Sequence, residues 1–292
     1  MRLPHFILAL LLLCAARTSA QNRVLQLGGG TNACVELPSR AFNDLEEATI
    51  EGWVKWNGEK WFARFFDFGR AWRTIHVARR GGSASVGLDL VLSRNTGIEI
   101  VGANLFHTNQ WCHVAAVIAK DRASLYFNGL LVGTASYSGS FNTIQSGERN
   151  ALGRDNWREA FGDIGDDTAC EIDEFRVWKV ARTGQQIADN MFKQLTSKEE
   201  NLAGLWNFDD GTANDSSPRA QHGKLIGDAK TVPAPMPARE ELLPMFTLRG
   251  MVKDADGRPI QNATITVLQN EKVFASVPSD SNRSPNIFVS VP

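Results

Sequence analysis

Over residues 22–230 the chain switches repeatedly between short stretches of alternating apolar and polar residues and small clusters of Gly and Asn. Side chains alternate across a strand, so such stretches are half-buried β-strands and the clusters between them are turns. In 49–56, Ile50, Gly52, Val54 and Trp56 share one face, while Thr49, Glu51 and Lys55 share the other with Trp53. His113–Lys120 aligns Val114, Ala116 and Ile118, and Ser124–Phe127 aligns Leu125 with Phe127. Asn128-Gly129 follows, a dipeptide suited to the positive φ angles of a tight hairpin, and Leu130–Val132 reads as the return strand. Ile172–Trp178 sets Phe175 and Val177 against Glu174 and Arg176. Many short strands separated by such turns predict an all-β fold of two packed antiparallel sheets.

One helix interrupts the pattern. Thr183 and Gln186 have the spacing of a capping box, and Ile187, Met191 and Leu195 follow at four-residue intervals, forming one apolar stripe. The stripe predicts a helix packed on the edge of the sandwich.

The termini read differently. Arg2 and His5 precede an apolar run from Phe6 to Ala16, and Thr18-Ser19-Ala20 supplies small residues for cleavage. This order predicts a secretory signal peptide over 1–20 and an exported, extracellular or periplasmic protein. The run is too short to span a bilayer, and no later stretch predicts a transmembrane span after cleavage. Residues 232–244 contain Pro233, Pro235, Pro237 and Pro244 and read as an extended linker between a domain over 21–231 and a tail over 245–292. In the tail the β pattern resumes around the turn sequence Asp254-Ala255-Asp256-Gly257.

With 31 Lys and Arg against 32 Asp and Glu, the chain has no basic excess to track a phosphate backbone, which argues against a nucleic-acid partner. No composition signal points to an organic cofactor. Beyond the signal segment Cys34, Cys112 and Cys170 remain, an odd number, without metal-type spacing. Sugar recognition uses exposed aromatic rings beside amides and planar charged groups. Trp61, Trp72 and Trp157 lie in loop-like segments, with Arg154 and Asn156 next to Trp157.

Four stretches carry a resemblance: VLQLGGGTNACVELP (24–38), WCHVAAVIAKDRASLYFNGLLVG (111–133), EIDEFRVW (171–178) and GLWNFDDGTANDSSPRAQHGKL (204–225). In this order they resemble a LamG-like jellyroll domain of the concanavalin A-like lectin/glucanase superfamily, over roughly residues 22–230. The tail FTLRGMVKDADGRPIQNATITVLQ resembles the first half of a carboxypeptidase regulatory-like β-sandwich, a tandem that looks bacterial. In the jellyroll, Trp111 would fill the space between the sheets, and Trp206 and Phe208 would fasten the last strand.

The resemblance implies one calcium ion between the early strand and the Ile172-Asp173-Glu174 strand, with Asp173, Asn32 and the Gly29 carbonyl as ligands. Gly28-Gly29-Gly30 stands where the family has Asp-Gly, so a carboxylate ligand is missing. Because the family's calcium site joins these two segments, the resemblance also implies a Cys34–Cys170 disulfide. The Asp209–Asp215 stretch lacks the spaced ligands of an EF-hand and reads as a solvated turn. The superfamily's glucanases place paired carboxylates on one strand. Glu171 and Asp173 begin such a motif, but Glu174 would point to the opposite face from Asp173, and Phe175 and Arg176 occupy the place of the second acid. The resemblance with these departures implies a lectin-like, non-catalytic binding or adhesion module for carbohydrate or a surface protein. The alternative is a structural spacer of a larger exported protein.

Overall fold

The computed structural model describes residues 21–29, 33–58, 60–81, 83–144, 148–157, 168–239 and 242, with 245–249, 254–256, 258, 264–269, 272–278 and 286–290 in the tail. The signal segment 1–20 lies outside the described residues. Among the described residues no helix is long and apolar enough to cross a membrane.

In chain order the elements are β1 (Arg23–Gly28), β2 (Cys34–Leu37), β3 (Ala48–Trp56), β4 (Arg64–Arg70), β5 (Arg73–Arg79), β6 (Val86–Ser93) and β7 (Thr96–Gly102). Then come β8 (Cys112–Ile118), β9 (Arg122–Phe127), β10 (Leu130–Ser136), the short helix α1 (Phe141–Ile144), β11 (Asn150–Leu152) and β12 (Ala169–Trp178). Helix α2 (Gly184–Asn190) precedes β13 (Leu202–Trp206), β14 (Lys224–Ile226) and β15 (Lys230–Pro233). The tail holds β16 (Met245–Arg249), β17 (Thr264–Gln269), β18 (Lys272–Pro278) and β19 (Asn286–Ser290).

Two antiparallel sheets form the sandwich. The first runs β10-β9-β8-β3-β12-β1-β15, with β13 also paired to β12; the second runs β14-β2-β11-β4-β5-β6-β7. Their inner faces interdigitate as the alternation predicts. Ile50, Val54, Trp56, Val114, Ala116, Ile118, Phe175 and Val177 come from the first sheet, and Phe66, Phe68, Ile75, Val77, Leu88 and Leu90 from the second. Trp206 and Phe208 join this core. Phe175 is its hub, meeting Phe65 edge-on at 5.4 Å and Phe66, Phe68 and Trp206 at 6.0–6.3 Å between ring centroids.

The local turn chemistry is also as expected. Asn128 (φ 48°) and Gly129 (φ 79°) make the β9–β10 hairpin, and the Asn128 side chain accepts from the His113 amide at 2.8 Å. The capping box is present at α2, with Thr183 and Gln186 exchanging hydrogen bonds of 2.9 and 3.2 Å. Ile187 buries its side chain against Ala115 and Val117 on the outer face of the first sheet.

Several expectations change. Helix α2 ends at Asn190, so Leu195 lies past the helix and packs near Trp178 instead. Trp111 lies outside the inter-sheet core, in a separate cluster with Val24, Trp53 and Met191, and the Lys55 ammonium stands 5.1 Å from its ring. The stretch read as a linker begins inside β15, whose Val232 pairs with Val24; Val232, Ala234 and Leu242 pack on the Trp53 cluster. In the tail, β16 pairs with β19 and β17 with β18.

The expected Cys34–Cys170 disulfide is not formed. Val35 and Leu37 point into the core, so alternation turns Cys34 to the outer side of β2. There its Sγ lies 4.0 Å from Arg154 Nη1. Cys170 faces the core between the sheets. A disulfide needs Cβ atoms about 4 Å apart with converging vectors, and β2 separates these two thiols. Cys112 is also buried, with its thiol donating to the Val54 carbonyl at 3.3 Å.

Two measurements check this architecture. Residues 21–292, unfolded in guanidinium without reductant, should titrate three thiols, and dithiothreitol should leave the native melting midpoint unchanged. Phe175→Ala should cost about 3–5 kcal/mol in urea unfolding, because the aromatic hub cannot collapse onto the cavity.

Candidate binding site

The outer face of the second sheet carries a row of ionisable groups. Phe66 and Phe68 point inward, so Asp67 points outward; the same holds for His76 between Ile75 and Val77, and for Asp89 between Leu88 and Leu90. The register pairs Asp67 with His76, His76 with Asp89, and Asp89 with Glu99, so the four groups form one line across β4, β5, β6 and β7. Two arginines straddle it. Arg64 reaches Asp67 at 3.3 Å and Asp155 at 3.1 Å. Arg80 reaches Asp89 at 2.5 Å and Glu99 at 2.7 Å. His76 Nε2 meets Asp89 at 2.8 Å.

The burial of these groups differs, and so does their titration. Asp67 is completely buried; it accepts from the Thr74 hydroxyl and, at 3.1 Å, from the Asn156 amide. Burial raises its carboxyl above the ordinary range, and His76, Arg64 and Thr74 offset that only partly. At Asp89 burial also pushes upward, but His76 and Arg80 outweigh it and hold the carboxyl at about 2.

Aromatic rings stand beside this row. The β4–β5 turn requires Gly69 at φ 111°, where a Cβ would lie 2.2 Å from the Arg73 carbonyl oxygen, and the turn presents Trp72. Trp72 meets Trp157 edge-to-face with centroids 5.0 Å apart, and the Arg94 guanidinium lies 5.8 Å from the Trp72 ring. Phe62, Arg64, His76, Arg80, Asp89, Val91, Asp155 and Trp157 together line a hollow of about 360 Å³. Phe62 brings in Trp61, whose ring centroid is 6.3 Å away and which is 63% exposed.

The sequence-predicted sugar residues therefore divide. Trp157 lines the hollow, Trp72 meets Trp157 and Trp61 stands beside Phe62. Asn156 does not serve it as an exposed amide: its side-chain NH₂ is spent on the carbonyls of Asp67 (2.8 Å) and Gly69 (3.1 Å), so its role is to position Trp157. Arg154 points to a neighbouring depression of about 290 Å³ with Glu36, its partner at 3.2 Å. The ionisable row escaped the sequence reading. Its signal was there as the same apolar–ionisable–apolar triplet in four successive strands: Phe-Asp-Phe, Ile-His-Val, Leu-Asp-Leu and Ile-Glu-Ile.

A laminin G model described as concanavalin A-like lectin/glucanases superfamily matches residues 28–188, more than half of the chain. The chain belongs to the concanavalin A-like lectin/glucanase superfamily. Solved structures of the same fold include a Bacteroides ovatus protein provisionally assigned to carbohydrate binding. It shows 15% identity and a TM-score of 0.53, over 73% of this chain and 60% of that one, so the match spans less than two thirds of its length. A module of the Ruminococcus gnavus intramolecular trans-sialidase, bound to α2,3-sialyllactose, matches at 15% identity and TM-score 0.50 over 59% of this chain and 97% of its own. The leech intramolecular trans-sialidase matches at 14% identity and TM-score 0.50, over 61% of this chain and 28% of that one. None of the curated proteins compared matches the sequence.

The calcium ligands implied by superfamily membership do not converge. Leu25 pairs with Ile172 and Gly28 with Ala169, which puts Asp173 at the start of β1 and Gly29 beyond its end. Five residues of strand separate them by about 16 Å, far outside one coordination shell. Asn32 lies outside the described residues, and among the described residues no cluster of three or more His, Cys, Asp or Glu could hold a metal. Asp173 is instead used locally, accepting from Asn22 Nδ2 at 3.0 Å and the Glu174 amide at 2.8 Å. Only the middle of the Asp209–Asp215 stretch is a solvated turn, with Asp210 accepting from Thr212 and Asn214; Asp209 accepts from the Arg23 amide at 3.0 Å, and buried Asp215 from the Leu205 amide at 2.8 Å.

The carboxylate strand of the superfamily's hydrolases is also altered, in a way alternation alone did not foresee. The β3–β12 register slips between Asp173 and Arg176, and Glu174 takes φ 48° in this bulge. Glu174 thus turns to the same outer side as Arg176, which it meets at 2.7 Å, both residues being fully or almost fully buried. Arg176 in turn donates to the carbonyls of Asn190 and Lys193 past α2, so the face that bears Asp173 and Glu174 is covered.

Burial pushes the Asp173 carboxyl well above the usual range. A folded pKa above the unfolded value means stability that is complete below about pH 3.9 and lost as pH rises through the folded pKa. Asp173→Asn should therefore lower the melting midpoint at pH 4 and do so less, or raise it, at pH 8, as scanning calorimetry across that range would show.

Proposed function

We propose that this chain is an exported, non-catalytic carbohydrate-binding module whose glycan seats in the hollow on the outer face of the second sheet. The observation that carries this reading is that Phe62 and Trp157 line this hollow over charged groups, with Trp72 against Trp157 and exposed Trp61 beside Phe62. Sugar rings present apolar C–H faces that stack on aromatic rings, and hydroxyl edges that hydrogen-bond with carboxylates and guanidiniums. Structural neighbours holding α2,3-sialyllactose and 2,7-anhydro-Neu5Ac support the fold as a frame for glycan binding. The non-catalytic part rests on burial: Glu174 is neutralised by Arg176, and Asp173 is held by Asn22, under α2 and the segment after it. The division into a signal segment (1–20), the jellyroll (21–231), a Pro-rich connection (232–244) and a second β-module (245–292) belongs to the same proposal.

The test is a glycan array followed by titration calorimetry on residues 21–292. Trp157→Ala should weaken binding by about tenfold or more, and Trp72→Ala by less, with circular dichroism and melting unchanged; tenfold corresponds to about 1.4 kcal/mol. Leu130→Ala, on the distant β9–β10 hairpin, should leave affinity as it was. A spacer without a ligand would show no saturable binding, and calcium chelation should not change the result.

A further inference from the structure

We propose that α2 and the segment running on to Lys193 form an acid-sensitive strap: in mild acid it lifts from the first sheet and uncovers the apolar patch of Trp53, Ala115 and Val117, while the sandwich stays folded.

The outer face of the first sheet does not meet the second sheet, so the burial of its residues comes from what lies over it. Ile187 packs on Ala115 and Val117, and Met191 and Phe192 pack on Trp53. The strap is fastened through its carbonyl oxygens, which at the end of a helix have no partner within the helix. Gln186 accepts from Arg182 at 3.0 Å, Asn190 from Arg176 at 3.0 Å, Met191 from the Trp53 indole at 2.8 Å, and Lys193 again from Arg176.

His113 lies beneath these fastenings. It stands opposite Trp53 in the β3–β8 register, their rings meet edge-to-face at 5.2 Å, and it is 1% exposed. Both ring nitrogens are buried without a hydrogen-bond partner. A neutral imidazole survives there by forgoing its hydrogen bonds; an imidazolium would be a buried, unpaired charge, which costs far more.

The groups around His113 offer it no counter-ion. Arg176 of β12 is paired with Glu174, and Arg182, just before α2, with Glu51 of β3. Glu51 Oε2 has no partner, yet neither His113 nitrogen bonds to it. On the far side of Trp53, Asp173 is bonded to Asn22 and Lys55 to Glu171. From β9 comes Tyr126, and the strap turns only apolar side chains inward; its Asp189 and Lys193 are exposed, bonded to Gln185 and Asn190. A protonated His113 therefore adds a third positive charge beside the two arginines that hold the strap. Water reaches that charge only when the strap lifts, so protonation favours the open form. A histidine that is neutral when closed and ordinary when open shifts the opening equilibrium about tenfold for each pH unit below about 6.5.

Hydrogen exchange on residues 21–292 between pH 7.5 and 4.5, corrected for intrinsic rates, tests the proposal. The amides of Ile187 and Met191, each bonded within α2 at 3.0 Å, and the Trp53 indole report on the strap. The amides of β5 and β6 report on the sandwich. The strap's protection should fall about tenfold per pH unit below about 6.5, binding of an apolar dye should rise with it, and β5 and β6 should lose far less protection. His113→Leu removes the ring nitrogens at similar volume and should flatten the dependence, as should His113→Gln, the second variant should the first fail to fold. Substitution of an exposed histidine, His107→Gln, should preserve it. Strap protection independent of pH, a dependence that survives replacement of His113, or loss at β5 and β6 in step with the strap would each overturn the proposal.

Discussion

Asp67 is a carboxylate with no solvent, and the arrangement around the hollow follows from what its burial demands. A buried charge is tolerable only when it is paired and hydrogen-bonded. Arg64 supplies the pairing, Thr74 on the neighbouring strand a hydroxyl, and Asn156 a backbone N–H at 3.1 Å. Each of these partners reaches onward. Arg64 holds Asp155, whose side chain accepts from the Trp157 amide at 2.9 Å; Asn156 closes onto the Gly69 carbonyl beside the turn that carries Trp72. The two tryptophans, packed edge-to-face, are thus set by a chain of contacts that ends at one buried acid. Side chains locked in this way lose little freedom on binding, which is the usual route from a shallow surface to useful affinity.

The two outer faces of the sandwich solve burial in opposite ways. On the first sheet the outer face is closed. Trp53 donates to the Met191 carbonyl at 2.8 Å, Glu51 accepts from Trp178 and Arg182, and Arg182 lies 4.1 Å from the Trp178 ring. His113 sits there with neither ring nitrogen hydrogen-bonded, and burial, aided by Arg176 and Arg182, drives its pKa well below the ordinary value, so it remains neutral. Helix α2, the residues that follow it, and Val232, Ala234 and Leu242 complete the cover. On the second sheet the comparable face has ionisable groups, aromatic rings and a hollow. The polar groups of the first face are covered by α2 and the segments after it, whereas Arg64, His76, Arg80, Asp89 and Asp155 of the second line the hollow.

Much of this fold was readable because alternation is a local property. Ile50, Val54 and Trp56 face the core, and Trp53 faces away, because a pleated strand permits nothing else. The hairpin at Asn128-Gly129 and the capping box at Thr183 are equally local. What escaped depends on register between strands far apart in sequence. The bulge at Glu174 breaks alternation at one residue, so Asp173 and Glu174 share the outer side where a strict reading put them on opposite faces. Trp111 precedes β8 by one residue and is drawn out to Val24 and Met191, which nothing in its own segment announces. Cys34 and Cys170 looked adjacent through the family's metal site, yet the pleat of β2 turns one outward and the core holds the other.

The ionisable row shows where the limit lies. Each of its triplets alone is an ordinary half-buried strand carrying one polar residue, and such residues usually face water unpaired. The row forms only because hydrogen-bond register sets Asp67, His76, Asp89 and Glu99 directly opposite one another. A one-residue slip in any of these strands would send its charge into the core and its apolar neighbours to solvent. The same phenylalanines that fasten the core therefore hold the register of the charges: Phe66 and Phe68 can face Phe175 only if Asp67 faces out. Packing on one side of the sheet specifies chemistry on the other, and that coupling makes the hollow a property of the fold as a whole.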